Sequence, residues 1–237
     1  MAVIGSIRCG STKTDSRSCT IANISPSWTA SFEGRVTQLR IRKGQTVFIE
    51  DTPIYGVYVM NKGIAKLTSS DQWGNQRILR LATDRHILSN LPCQRAMHMY
   101  SAVALEDSTV CFFPLAAWQA ALQESDELAV EVAMFYASEL CLAEQRHKYI
   151  TLMTVEERVA FALLYVAELF DDGSGKGSHV VRLSRNDLAQ IAGTNAQQVS
   201  RALAKLKDDG LIESRKREIL ISSMPKLRMR LKAYLPV

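Results

Sequence analysis

Leu183-Ser184-Arg185-Asn186-Asp187-Leu188-Ala189-Gln190-Ile191-Ala192-Gly193-Thr194-Asn195-Ala196-Gln197-Gln198-Val199-Ser200-Arg201-Ala202-Leu203 is the stretch from which the fold is read. Ser184 can accept from the free N–H groups of the turn that follows it, which makes it a good helix N-cap. Leu188, Ile191 and Ala192 then share one helical face. Gly193 comes where the chain must turn sharply, and glycine takes a positive φ at little cost. Thr194 or Asn195 is placed to cap a second helix, whose inward face is Val199, Ala202, Leu203 and Leu206. Gln197, Gln198, Ser200, Arg201 and Lys205 remain polar and mostly outward. Cap, helix, glycine turn and helix in this order spell a helix-turn-helix that reads DNA. Arginine bonds bidentately to guanine, glutamine suits adenine, and serine serves base or phosphate. A small helical domain with a solvated charged face is the bland alternative, and it leaves the fixed order of signals unexplained.

Working outward, Asp208-Asp209-Gly210 ends the second helix. Leu211-Ile212-Glu213-Ser214 and Glu218-Ile219-Leu220-Ile221 read as a short hairpin with a basic tip, Arg215-Lys216-Arg217. Such a wing suits phosphate contact. The candidate DNA contacts are therefore Ser184, Thr194, Gln197, Gln198, Ser200, Arg201, Lys205, Arg215, Lys216 and Arg217.

Charge supports this placement. From Arg182 to Lys232 there are 12 Lys/Arg and 5 Asp/Glu, a net of +7, in a chain whose total is +5. The remainder is slightly acidic, so a nucleic-acid partner is expected for the C-terminal end alone. The 237 residues suffice for two modest domains. No apolar run approaches the ~18 residues of a membrane span. The N-terminus shows no signal-peptide core, which predicts a cytoplasmic protein. Five cysteines, an odd number, do not form the pattern of a secreted disulfide framework. A Gly-rich phosphate loop, a paired acid–base motif and a nucleophile elbow are all missing, which argues against an enzyme.

Four segments follow. Residues 1–25 are Ser/Thr-rich and carry Cys9 and Cys19, an arm with little periodicity. Residues 26–117 form a sensor domain, in which Val36 to Phe113 alternates in short runs such as Gln38-Leu39-Arg40-Ile41-Arg42 and Gly56-Val57-Tyr58-Val59-Met60. Turns at Lys43-Gly44, Asn61-Lys62-Gly63 and Trp73-Gly74-Asn75 separate them, as in a sandwich or jelly-roll barrel. Residues 118–153 form a dimerisation helix within a helical run from about Leu115 to Thr151. Leu128, Val132, Phe135, Leu142 and Tyr149 keep a 3–4 spacing on it, with Glu139 and Arg146 in register, and predict a dimer seam. Packing of that face on the chain's own barrel is the alternative. Residues 154–237 form the DNA-binding domain, with a helix from Val155 to Phe170, a loop at 171–177 and a short basic helix from Pro225 to Tyr234.

Several separated motifs agree in order with one family: Lys43-Gly44-Gln45-Thr46-Val47-Phe48, Gly63-Ile64-Ala65-Lys66, Ala104-Leu105-Glu106-Asp107-Ser108-Thr109-Val110-Cys111 and Glu156-Glu157-Arg158. With them the chain resembles the regulators typified by the cyclic-AMP receptor protein and the fumarate–nitrate reduction regulator, and resembles the second branch more. The resemblance implies an α+β fold with an N-terminal double-sheet β-roll, a long dimerisation helix and a C-terminal winged helix-turn-helix. It implies a homodimer that binds an inverted-repeat DNA operator and recruits or blocks RNA polymerase. The fumarate–nitrate branch carries Glu-x-x-Ser-Arg on its recognition helix. Here Ser200 and Arg201 match and Gln197 replaces the glutamate, so TTGA-like half-sites about one helical turn apart are expected, with relaxed choice at the base facing Gln197.

The resemblance raises two effectors. Cyclic-nucleotide binders of the family share a Gly-Glu turn and an Arg-Ser or Arg-Thr pair. The corresponding segments, Asp84-Arg85-His86-Ile87-Leu88-Ser89 and Ala96-Met97-His98-Met99-Tyr100-Ser101, lack the Gly-Glu pair and place His98 near the phosphate position. Neutral His holds a phosphate poorly, so cyclic AMP is disfavoured. Oxygen-sensing members hold an iron–sulfur cluster through N-terminal cysteines and one in the roll. Cys9 and Cys111 match that set, Thr12 and Ser18 depart from it, and Cys19 lies one residue after the third position, so the resemblance implies Cys9, Cys19 and Cys111 with a substitute fourth ligand, Cys93, Asp15 or a histidine. A cysteine redox switch, haem at His86, His98 or Cys93, and a regulator with no effector are the other readings, as is Cys111 as simple packing.

Overall fold

A computed structural model describes residues 36–92, 96–169, 179–215 and 218–234. The cysteine-bearing arm, Cys93, the loop at 171–177 and the wing-tip residues Lys216 and Arg217 lie outside them. The chain divides into two compact units between Leu142 and Ala143.

In the first unit, seven strands follow one another: β1 (Thr37–Ile41), β2 (Thr46–Phe48), β3 (Gly56–Lys62), β4 (Ala65–Ser70), β5 (Gln76–Ala82), β6 (Ser101–Ala104) and β7 (Ser108–Pro114). They form two sheets, ordered β1-β7-β3 and β2-β6-β4-β5. This is the double-sheet roll that the alternating runs predict. The turn between β3 and β4 relies on glycine where a side chain has no room. At Gly63 φ is +118°, and an added Cβ would lie 2.3 Å from the Ser108 hydroxyl, so only glycine fits.

Two helices follow, α1 (Leu115–Glu124) and α2 (Asp126–Leu152). The single helical run predicted here is broken at Ser125, whose backbone is extended (φ −136°, ψ 105°). Trp118 on α1 is fully buried and meets Phe113 edge-on at 5.4 Å. Val57, Val59, Ile87, Cys111, Phe113 and Trp118 share one core with Leu128, Val132 and Phe135 of α2. A second core, with Phe48, Met60, Leu67, Leu88 and Val110, fills the roll between its sheets.

The second unit holds the C-terminal part of α2 and then α3 (Val155–Leu169), β8 (His179–Val181), α4 (Arg185–Ala192), α5 (Ala196–Asp208), β9 (Ile212–Arg215), β10 (Glu218–Ile221) and α6 (Met224–Arg230). Strand β8 adds to the predicted hairpin and gives a sheet ordered β8-β10-β9. Val159, Leu163, Leu188, Val199, Leu206 and Leu227 are fully buried in it. Among the described residues, no helix is long and apolar enough to cross a membrane.

Candidate nucleic-acid interface and sensor core

The helix-turn-helix forms as its local chemistry dictates. Ser184 caps α4, its hydroxyl oxygen accepting from the Asp187 N–H at 3.0 Å. Gly193 closes α4 in the left-handed region (φ 59°, ψ 48°). Asn195, rather than Thr194, caps α5, accepting from the Gln198 N–H at 2.9 Å. The Thr194 hydroxyl instead donates to Gln198 Oε1 at 2.5 Å, which leaves Gln198 half-buried with its carbonyl oxygen committed. Val199, Ala202, Leu203 and Leu206 are buried, and Gln197, Ser200, Arg201, Ala204 and Lys205 are exposed. Ser200 donates its hydroxyl proton to the Ala196 carbonyl at 2.9 Å, so its oxygen faces outward mainly as an acceptor. Arg201 makes no ion pair with a described residue.

Two anchors missed in sequence hold this element. Arg158 of α3 donates through Nη1 to the Gly193 carbonyl at 3.3 Å and so clamps the turn between the helices. Glu156, two residues earlier, gathers a charge cluster. It takes Lys205 at 2.6 Å and also Arg230, and Arg230 reaches Asp209 at 3.0 Å. Burial pushes the Glu156 carboxyl up, but hydrogen bonds from Lys205 and Arg230 outweigh it and hold the group below its ordinary range. Lys205, expected as a DNA contact, is thus already paired. The Glu156-Glu157-Arg158 triplet is visible in sequence, but its partners lie far along the chain.

In the roll, His98 is buried, 2% exposed, and stacks on Phe48 at 4.1 Å. Tyr58 stands 6.2 Å away and also tilts against Phe48 at 5.3 Å. Side chains therefore fill the space beside the position read as a phosphate contact. Burial holds His98 below its ordinary pKa. His86 is lowered too, first by burial and then by the charge of Arg80, with Glu139 and Asp84 opposing. Both shifts favour neutral histidine in the folded state, while the unfolded chain titrates near ~6.5. The unfolded state therefore binds more protons as pH falls below that value, and stability drops down to the lowered folded pKa. Urea midpoints of the first unit should be lower at about pH 5.5 than at about pH 7.5, and His86→Gln should shrink the difference; an unchanged difference would remove His86 from this account.

With roll, long helix and winged helix-turn-helix on one chain, comparison with known proteins decides the family. Residues 38–125 match the cyclic nucleotide-binding domain family, and residues 157–230 match the Crp-like helix-turn-helix domain. The transcriptional regulatory protein btr of Bordetella pertussis is 26% identical over 192 residues, 81% of this chain and 79% of its own length. The chain belongs to the CRP/FNR family of transcription regulators. The structure of FixK2 from Bradyrhizobium japonicum has a similar fold (TM-score 0.72, 24% identity, covering 82% of this chain and 96% of that one). So has a CRP/FNR-family regulator from Thermus thermophilus (TM-score 0.71, 20% identity, 84% and 100%). As a DNA-binding regulator of this family it is not an enzyme, in keeping with the missing catalytic motifs.

Of the cysteines that the resemblance implies as ligands of an iron–sulfur cluster, only Cys111 lies among the described residues. Cys111 is fully buried among Val57, Val59, Phe113 and Trp118. It is disulfide-bonded. Among the described residues, no group of three or more His, Cys, Asp or Glu side chains is gathered for a metal. Cys9, Cys19 and Cys93 lie outside the described residues.

Most of the residues read as a dimer seam pack against their own chain. Leu128, Val132 and Phe135 are 0–5% exposed because they pack into their own roll. Glu139 faces Arg80 in the same unit, and Arg146 and Tyr149 contact Tyr165 and Phe161 of α3. Leu142 is half-exposed and lies off this face. The opposite side of α2 presents Val130, Ala133, Met134, Ala137, Leu140 and Cys141, all exposed, at helical spacing. The helix thus carries two apolar stripes, and the one singled out from spacing is the inner one.

Proposed function

We propose that this CRP/FNR-family regulator acts as a homodimer in the cytoplasm and reads an inverted repeat of TTGA-like half-sites, there recruiting or blocking RNA polymerase. The exposed row Gln197, Ser200 and Arg201 on α5 carries this reading, because it offers an amide, an acceptor oxygen and a guanidinium in one line. Arg201 selects guanine, and Gln197, able to donate and accept, relaxes the choice at its base. The wing, Arg215 with Lys216 and Arg217, holds phosphate. The second copy docks on the outer stripe of α2, where Val130, Met134 and Leu140 leave apolar surface in water; such stripes favour self-association.

Cyclic AMP is not the effector in this reading, since Phe48, Tyr58 and His98 fill the space beside the phosphate position. An oxygen or redox response runs, in this reading, through the disulfide at Cys111: a cellular dithiol opens it, leaving two thiols on the chain and a disulfide on the reductant. Disulfides inside cells are mostly transient and sensing, which supports it. One experiment addresses both parts. Arg201→Ala should weaken operator binding by about 1–3 kcal/mol, that is, about 5- to 150-fold, with little effect on random DNA. Fluorescence anisotropy at fixed salt, with and without dithiothreitol, measures it. Equal losses on operator and random DNA would show that Arg201 reads no base, and indifference to dithiothreitol would remove the redox response.

A further inference from the structure

Helix α5 presents Gln197, Ser200 and Arg201 along one exposed line. Its buried side, Val199, Ala202, Leu203 and Leu206, fixes which face turns outward. Apolar burial is non-directional, so by itself it leaves small tilts and slides of the helix nearly free. Polar anchors remove that freedom, and α3 supplies two of them from its first turn. Arg158 donates through Nη1 to the Gly193 carbonyl at 3.3 Å, in the turn just ahead of α5. The Glu156 carboxylate takes Lys205, in the last turn of α5, at 2.6 Å and also takes Arg230 of α6. Arg230 in turn reaches Asp209, the C-cap of α5, at 3.0 Å. Lys205, Glu156, Arg230 and Asp209 thus close a ring around the C-terminal end of α5. Glu156 and Arg158 stand about 200° apart on α3, which lets two near neighbours in sequence reach the two ends of another helix.

We propose that Glu156 and Arg158 are positioning residues for base recognition: together they set the tilt of α5, and Lys205 acts in this clamp rather than on DNA phosphate. About 13 Å of helix separates Ala196 from Lys205, and the three reading side chains fall between the anchored points. A tilt of about 10° moves a group about 10 Å from the pivot by about 2 Å, beyond what a bidentate bond tolerates. Lys205 is 60% exposed and Arg230 33%, and ion pairs of that kind contribute little to stability. What the ring provides is geometry, because its four groups come from α3, α6 and the end of α5. The proposal rests on α5 being the helix that reads DNA.

Fluorescence anisotropy of the full chain with an inverted repeat of TTGA-like half-sites, and with random DNA, across a salt series tests it. Glu156→Gln keeps the shape and removes the charge that gathers the ring. Its affinity for the repeat should fall about tenfold, the size of losing one base contact, with affinity for random DNA unchanged. Lys205→Gln should do the same at wild-type salt dependence, and the two substitutions together should lose no more than either alone. A lysine on phosphate behaves otherwise: its removal weakens both DNAs alike and flattens the salt dependence by about one phosphate contact per subunit. The clamp is overturned by that result for Lys205→Gln, by additive losses in the double variant, or by an unchanged ratio of the two affinities in Glu156→Gln. Arg158→Gln should lower the same ratio, and Arg158→Lys, which keeps a donor, should restore part of it. Should Arg158→Gln not fold, Glu156 and Lys205 decide. Arg201→Ala is the reference. If it too leaves the ratio unchanged, the reading of α5 fails and the clamp with it; if it alone lowers the ratio, only the clamp fails.

Discussion

Glu139→Ala is expected to destabilise the first unit by about 3–5 kcal/mol, because it leaves the buried Arg80 charge without a counter-ion. The Ile87 and Leu88 carbonyls that accept from Arg80 Nη2 remain, but dipoles do not replace a charge. The ion pair is itself weak evidence of net stability, since desolvating both partners offsets most of their attraction. A second variant separates the two effects. Arg80→Met with Glu139→Leu removes both charges and fills similar volume, and it should come within ~1 kcal/mol of wild type or exceed it. Urea unfolding followed by tryptophan fluorescence suits the measurement, because Trp118 is fully buried in the core of the first unit. A Glu139→Ala protein as stable as wild type would mean that the guanidinium is solvated in the roll, and the buried pair would not then hold α2.

Phe135→Ala is expected to cost the first unit about 3–5 kcal/mol while leaving self-association intact. Phe135 is 5% exposed within the core of Val57, Ile87, Phe113 and Trp118, and its ring also meets Tyr136 edge-on at 5.3 Å. Removing it opens a cavity in the roll rather than a gap in an interface. Leu140→Asp should do the reverse, lowering dimer affinity with little change in the urea midpoint, because Leu140 is 60% exposed. Sedimentation velocity beside the same unfolding curves distinguishes the two stripes of α2. If Phe135→Ala yields monomers of unchanged stability, the inner stripe is the seam after all and the outer one is merely solvated.

The paired stability and association measurements bear on regulation as well as on packing. The inner stripe and the Arg80–Glu139 pair attach α2 to the roll, and the outer stripe is where we place the second copy. Similarly, Lys205 sits between two uses. Its pairing with Glu156 fixes the end of α5, so any contact of Lys205 with phosphate must compete with that carboxylate.

What sequence by itself determined is what short-range chemistry determines. The cap at Ser184, the left-handed residue at Gly193 and the buried row Val199, Ala202, Leu203 and Leu206 lie within some two dozen residues, and each is a consequence of neighbours along the chain. The alternation of the roll strands was legible for the same reason. The tertiary structure decided which of two apolar stripes on α2 turns inward, because a helical period marks a face without naming what covers it. It broke the predicted run at Ser125, added β8 to the wing sheet, and moved the capping of α5 from the choice between Thr194 and Asn195 to Asn195. It also brought Arg80 to Glu139 and Glu156 to Lys205, pairs separated by 59 and 49 positions in the sequence. No local pattern encodes such pairs. Charge acts through space, and only the folded chain sets which charges share it.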